Sequence, residues 1–510
     1  MNKEKLNSNV EKTLKLWNKE YKRGFFSYII LLMLKDKPMY GFEIYNKFLE
    51  ITKRNVSFEE SAVYHILKKL KEKGFISAYW KKSDKGPDRK YYTVEKSGIQ
   101  LLTIFTANYI LPINKAVDEL IEKVFPEPKN DNLRSGDGFL RANDIPKLRI
   151  GNLEAKVPII QGGMGVGISL SGLASAVANA GGIGVIAAAG IGMLEPDYVK
   201  NFREANKRAL RKEIRRAREM TDGIIGVNIM LALSDFDELV LTAVEEGADL
   251  LLLGAGLLLK LPGTLSIDMF REKGTKVVPI VSSARAAKII FQSWAKKYNH
   301  LPDAVVVEGP KAGGHLGFKK EQIDDPRYSL EKILPEVVSI VKSYEEQFAK
   351  KIPVIAAGGI FTGADIYKFM QLGAGGVQMA TRFVATEECD ASIKFKESYL
   401  KSKKEDIVII DSPVGMPGRA IRDAFLDDVS RGIKKPFKCP WKCLKACDFR
   451  YAPYCINLAL TNAKKGILED GFVFAGANAY RVNEITTVEK LINVLLTEYI
   501  DAASSKKTRI

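Results

Sequence analysis

IPVIAAGGIFTGADIYKFMQLGAGGVQMATRF, residues 352–383, decides the fold. Pro353–Ala357 is a short apolar run that stops at Gly358 and Gly359, and Gly376–Met379 repeats it one helix-length later. Continuous rather than alternating apolar residues predict strands buried on both faces, hence parallel pairing with a helix as the crossover. Working outward from this unit, similar runs occur at Val157–Gln161, Ile183–Ala187, Ile224–Met230, Leu250–Leu253, Val277–Val281 and Ala304–Glu308. Eight βα units predict an α/β chain folded as a closed (β/α)8 TIM barrel. A doubly wound sheet is the alternative.

In a barrel, chemistry belongs at the C-terminal ends of the strands. The segments there are QGGMGVG (Gln161–Gly167), GVNIM with Asn228, EGPKAGGHLG (Glu308–Gly317), AAGGI (Ala356–Ile360) and GGVQMATRF (Gly375–Phe383). Glycine pairs such as Gly358–Gly359 and Gly375–Gly376 let backbone N–H groups approach a phosphate behind strands seven and eight. A glycine pair also serves simply to close a tight turn. The chain has three histidines. His300 precedes strand six and is expected on the surface at the opposite end. His315, framed by glycines after strand six, is expected in the mouth as a general acid or base, or else as a loop-holding residue.

These segments, with the tail FVFAGANAYR, resemble the nitronate monooxygenase family over residues 148–500. The family was formerly called 2-nitropropane dioxygenases, and it shares its barrel with flavin-dependent enoyl-ACP reductases. The resemblance implies non-covalent FMN held by Gly162, Gly163, Met164, Asn228, Glu308, Gly313, Gly358, Gly359, Gln378, Met379, Ala380 and Thr381, with His315 as the catalytic residue. Two chemistries follow from it. One oxidises an alkyl nitronate to a carbonyl compound and nitrite. The other passes a hydride from NAD(P)H to an enoyl thioester. Lys311 departs from the acidic residue many relatives carry, which favours an anionic substrate or a nicotinamide phosphate.

The first 125 residues read differently. Phe25–Leu34, Tyr40–Leu49 and Ser61–Lys73 have helical apolar spacing, Gly74 ends the third helix, and Phe75–Trp80 and Lys90–Val94 form a basic hairpin. Three helices and a wing suit DNA, with the third helix in the major groove and wing cations on phosphates. The segments PMYGFEI, SAVYHILKKLKEKGFI and KGPDRKYYTVEKSG resemble the PadR family of transcriptional regulators. That resemblance implies double-stranded DNA as a partner and homodimerisation through a helix over Ile99–Val124. Lys68, Lys69, Lys71, Lys81, Lys82, Lys85, Arg89 and Lys90 are the candidate DNA contacts, whereas His65 is expected to pack the helix, with a DNA contact as the alternative. Residues 126–145 read as a linker and 146–505 as the barrel domain, and the fusion leaves two expectations, an active flavoenzyme with a regulatory domain or a flavin-sensing transcriptional regulator.

Charge supports this division. Lys and Arg total 78 against 61 Asp and Glu, a balance of +17. Residues 1–125 hold 24 basic and 15 acidic residues, a balance of +9 in a quarter of the chain. That excess fits an anionic partner or a lysine-rich solvated surface. The first residues lack the apolar core of a signal peptide and no apolar run is long enough to span a bilayer, so a cytoplasmic protein without a membrane partner is expected.

Four of five cysteines fall within KCPWKCLKACDFRYAPYC: Cys439, Cys443, Cys447 and Cys455. The four-residue steps predict thiolates along one helical face, with Cys455 returning from the turn. The set can supply a tetrathiolate site for an iron–sulfur cluster or another metal, or it can be free thiols or redox pairs. Its spacing is neither the usual zinc pair nor the ferredoxin run.

Overall fold

The structure is a computed structural model, in which residues 26–51, 59–82, 88–110, 145–433, 435 and 437–507 are described. The chain divides into two compact units, Met1–Arg134 and Ser135–Ile510.

In the first unit, α1 (residues 26–36) is followed by β1 (Met39–Tyr40), α2 (Gly41–Ile51), α3 (Glu60–Glu72), β2 (Ile76–Lys81), β3 (Arg89–Val94) and α4 (Lys96–Phe105). The sheet has the order β1-β3-β2, and the wing pairs Ile76 with Val94 through Lys81 with Arg89. Ile30, Ile44, Phe48, Val63 and Leu67 are fully buried in its core. Apolar residues at three- and four-residue steps therefore turn one face of α3 inward and leave its lysines outside. The stop is a Schellman motif: Gly74 has φ +71, its N–H bonds Lys71 O, and Phe75 N–H bonds Leu70 O. α4 ends at Phe105 and runs into a π turn over Thr106–Ile110, which breaks the uniform helix expected from Ile99. The rest of that expected dimerisation helix, the linker to residue 144 and Lys85 lie outside the described residues.

The second unit opens with a hairpin, β4 (Leu148–Ile150) and β5 (Leu153–Ala155). Eight parallel strands follow: β6 (Ile159–Gln161), β7 (Gly184–Ala187), β8 (Ile225–Met230), β9 (Leu250–Gly254), β10 (Lys276–Val281), β11 (Val305–Glu308), β13 (Val354–Ala357) and β14 (Gly376–Met379). They pair in the order β6-β14-β13-β11-β10-β9-β8-β7. The ring closes between β6 and β7, where Gln161 N–H bonds Ile183 O at 2.9 Å and Ile183 N–H bonds Ile159 O at 2.9 Å. The closed barrel holds and the doubly wound alternative is excluded. Helices cover the outside, among them α5 (Ser171–Asn179), α6 (Phe202–Met220), α7 (Phe236–Glu245), α8 (Ile267–Lys273), α9 (Ala284–Tyr298), α10 (Leu330–Phe348) and α11 (Gly363–Gln371).

The continuous apolar runs have a simple cause. Leu250 and Leu252 pack inside the barrel with Val185, Val278, Val306 and Ile355, whereas Leu251 and Leu253 face the helical layer. Strand side chains alternate, and here both faces are dry. Leu148 and Ile150 of the hairpin join the interior cluster near the first residue of β14, closing the barrel at its N-terminal end. A Cβ on Gly184 would lie 1.8 Å from Ala174 O, so only glycine lets α5 pack on β7.

A small sheet stands outside this repeat. β12 (Gly314–His315), β15 (Ile407–Asp411), β16 (Pro417–Ile421) and β17 (Val473–Phe474) assemble around β16. α12 (Ile456–Lys465) and α13 (Val488–Lys507) follow in the C-terminal part. Among the described residues no helix is long and apolar enough to cross a membrane.

Candidate functional site

Every expected cofactor residue, from Gly162 to Thr381, lines one cavity of about 460 Å³ at the C-terminal ends of the strands, and so does His315. The strand ends make its floor. Gly162 N–H bonds Met379 O at 2.7 Å, locking the first loop to the eighth strand. Asn228 donates from Nδ2 to Leu252 O at 3.1 Å, and a Cβ on Gly163 would lie 2.4 Å from the Asn228 Cβ. The seventh loop turns at Gly358 (φ +91) and Gly359 (φ +90), conformations that favour glycine.

His315 is placed by the small sheet rather than by the barrel. It is registered against Gly418 of β16. Its Nε2 lies 2.7 Å from Ser412 Oγ, and the Phe474 ring meets the imidazole edge to face at 5.0 Å. Burial without an acidic partner pushes its pKa down to about 4, so the imidazole is neutral at pH 7. The loop before it is held by Arg419, which donates from Nη1 to Pro310 O and to Ala312 O, both at 2.6 Å. Asn478 Nδ2 donates to Gly359 O at 2.7 Å, tying the C-terminal tail to the seventh loop. Ser412, Arg419 and Asn478 carry no glycine-rich motif of their own. Only the FVFAGANAYR segment around Asn478 stood out in the sequence.

Glu308 ends β11 inside the cavity and makes no hydrogen bond or ion pair among the described residues. Burial raises its carboxyl pKa to about 7. Gln378 Oε1 is buried without a hydrogen-bond partner. Such a buried orphan acceptor calls for a donor from a bound group. Lys311 is exposed at the rim of the same cavity. His300 lies apart from it and is half-buried rather than superficial, with its pKa lowered chiefly by burial.

In the first unit, Lys68, Lys69, Lys71, Lys81, Lys82 and Arg89 are exposed and Lys90 is half-buried. Arg89 lies over the Tyr40 ring at 4.7 Å and Lys90 over Trp80 at 5.9 Å, so aromatic faces pre-position two wing cations. His65 is exposed on α3 rather than packed.

The four clustered cysteines are not on a helix. Residues 437–455 form an irregular segment in which Lys442 has φ +48. Beyond a few short turns, its backbone bonds the loop after β8, through Ser234 N–H to Cys443 O and Lys445 N–H to Ala232 O. Pro440 and this cross-pairing overrule the four-residue spacing. All five cysteines are free thiols. Among the described residues no three His, Cys, Asp or Glu side chains converge closely enough to hold one metal ion.

The closed (β/α)8 barrel thus opens, at the C-terminal ends of its strands, into a glycine-rimmed cavity walled by one half-buried histidine. Residues 147–251 and 257–498 match the nitronate monooxygenase family, and residues 30–104 match the PadR-like transcriptional regulator family. The chain belongs to the nitronate monooxygenase family and carries a PadR-like domain at its N-terminal side.

A probable nitronate monooxygenase of Staphylococcus saprophyticus is 30% identical over 54% of this chain and 78% of that protein. A (3aS,4S,5R,7aS)-5-hydroxy-7a-methyl-1-oxo-octahydro-1H-indene-4-carboxyl-CoA dehydrogenase of Mycobacterium tuberculosis is 29% identical. That match covers 54% of this chain and 66% of the dehydrogenase, just under two thirds of its length. Among solved structures, FabK from Thermotoga maritima is 31% identical with a TM-score of 0.53, over 70% of this chain and 96% of that one. Nitroalkane oxidase from Streptomyces ansochromogenes shares the fold at 22% identity and a TM-score of 0.53, over 69% of this chain and 98% of that one.

Proposed function

We propose that the barrel is an FMN-dependent nitronate monooxygenase and that the N-terminal unit binds double-stranded DNA. The cavity residues fit FMN. Gln378 Oε1 offers an unpaired acceptor, and Asn228 and the carbonyl-lined floor offer polar contacts. The glycines at 162, 163, 358 and 359 let backbone approach the cofactor, with Gly358 and Gly359 nearest its phosphate by analogy with other barrels. Bound there, the flavin supplies one-electron acceptor chemistry toward the substrate.

The observation that carries the substrate reading is His315, neutral and held at the cavity wall by Ser412. A neutral imidazole accepts the α-carbon proton of a nitroalkane or donates an N–H to the nitronate oxygens. It does not act as a standing cation. The positive charge that attracts an anionic nitronate comes instead from Lys311 at the rim. Dioxygen would supply the carbonyl oxygen as the C–N bond breaks, so that two nitronates and one O2 give two carbonyl compounds and two nitrites.

Two observations favour a second reading, reduction of an enoyl thioester by NAD(P)H. They are the FabK similarity over nearly that whole chain and a cation at Lys311 suited to a nucleotide or carrier phosphate. Anaerobic mixing of the purified protein with an alkyl nitronate, NADH or NADPH separates them. Flavin reduction by the nitronate, with nitrite released on admitting oxygen, supports the monooxygenase. Complete bleaching by a nicotinamide with the nitronate inert overturns it in favour of the reductase.

A further inference from the structure

We propose that the substrate carries a linear hydrocarbon chain, which lies against an apolar wall on the β8 side of the cavity while its head group faces His315. The cavity is divided by chemistry. Its ionisable lining residues are Glu308, Lys311, His315 and Tyr399. The first three end β11 or follow it, and the Tyr399 hydroxyl donates to Phe474 O at 2.8 Å. β8 stands three strands round the ring from β11. There Met230, Leu233, Leu444, Ile456 and Leu460 line the same cavity, without a charge among them. A cavity charged at one side and aliphatic at the other fits an amphipathic molecule.

The irregular segment and the helix after it build this wall. An isolated antiparallel bridge joins Leu444 to Leu233. It is pinned on both sides, by Ser234 N–H to Cys443 O at 3.0 Å and Lys445 N–H to Ala232 O at 2.9 Å. This register buries Leu444 and leaves Lys442 and Lys445 exposed, with Lys445 Nζ bonding Leu231 O at 2.8 Å. α12 continues the wall, because Ile456 and Leu460 stand one turn apart on one face. Asn457 is the polar residue of this stretch. Its Nδ2 donates to Cys443 Sγ at 3.2 Å, so that donor is engaged within the protein.

None of the five wall residues belongs to the set that the proposed function gives to FMN, so the wall is left for the substrate. Leu233, Leu444 and Ile456 are 3%, 7% and 4% exposed. A charged substituent set against them loses its water and gains no partner. Each CH2 covered there instead strengthens binding about fourfold. The wall therefore selects against short nitronates and against those bearing a second charge. The pairing of this chain with a reacting head group rests on the proposed function, whereas the division of the cavity does not.

The test is a chain-length series on the full chain. Nitronates of linear nitroalkanes, from nitroethane to nitrooctane, are compared with enoyl-CoA thioesters, from crotonyl to decenoyl, supplied with NADPH. In whichever series turns over, kcat/KM should rise about fourfold for each added CH2 until the wall is covered. Leu460→Trp should cut the ratio of the longest to the shortest substrate about tenfold or more. That ratio is taken within one variant, so losses from misfolding cancel. An unaltered ratio removes α12 from the chain site and overturns the proposal. Calorimetric titration with hexanoate, octanoate and decanoate reads the same slope in Kd, with neither turnover nor flavin required. A slope in Kd with both substrate series inert sinks the proposed reaction and leaves the chain site standing. Turnover with flat kcat/KM and flat Kd sinks the chain site and leaves the reaction.

Discussion

At the scale of single residues, two half-buried titratable groups in one cavity pull stability in opposite directions. Glu308 has its pKa raised to about 7, so its contribution is complete below its unfolded value and is lost as pH rises through 7. His315 has its pKa lowered to about 4, so its contribution is present above its unfolded value and is lost as pH falls toward 4. Glu308→Gln should therefore flatten the fall in melting temperature between pH 5 and 8, measured on flavin-free protein. From the size of the shift the effect is at most about 3 kcal/mol. An unchanged pH profile would place the carboxylate in water. His315→Ala should lower kcat/KM for a neutral nitroalkane by roughly 10²–10⁴-fold. A preformed nitronate should be affected much less, because it needs no proton removed. Equal losses with both would mean that the imidazole only binds. His315 was visible from its glycine-rich setting, and Glu308 through the family resemblance. Their pKa values were not, because desolvation is a property of everything packed around a side chain.

Among elements, the small sheet around β16 decides where the histidine stands. Arg419 bonds two carbonyls of the loop that leads to it, while its own charge is buried. Arg419→Met leaves both carbonyls without that donor, and a loss of about 2–4 kcal/mol is expected by chemical denaturation. kcat should fall with it as His315 loses its register. A variant as stable as the parent would show that the strand pairing of Gly314 and His315 suffices. In the first unit, the helical spacing of α3 exposes Lys68, Lys69 and Lys71 on the face opposite Val63, Leu67 and Leu70. Charge reversal of all three should weaken DNA binding and flatten its salt dependence, by roughly 0.9 log unit for each phosphate that is no longer neutralised. Binding with an unaltered salt slope would remove α3 from the interface. Both barrel strands and the wing were legible because their periodicity is local. The irregular path of residues 437–455 was not, since its backbone bonds the loop after β8, some two hundred residues earlier.

For the whole molecule, the hydrophobic clusters of the two units have no members in common among the described residues. Calorimetry of the full chain should therefore resolve two unfolding transitions. Added FMN should raise only the one belonging to the barrel, because a ligand stabilises the unit that binds it. Specific DNA should raise only the other. A single cooperative transition shifted by either ligand would mean that the units unfold together.

The sequence by itself determined the eight barrel strands in chain order, the winged helix and the glycine-rich loops that converge on one rim. Each of these is written in local periodicity and turn chemistry, which survive being read one segment at a time. Tertiary structure alone decided three other things. It closed the ring between β6 and β7, brought Ser412, Arg419 and Asn478 to loops a hundred residues away, and left the Trp441 indole without an acceptor beside the cysteines. Those outcomes depend on which distant backbones meet and on how much water packing removes, and neither quantity is carried by any short stretch of chain.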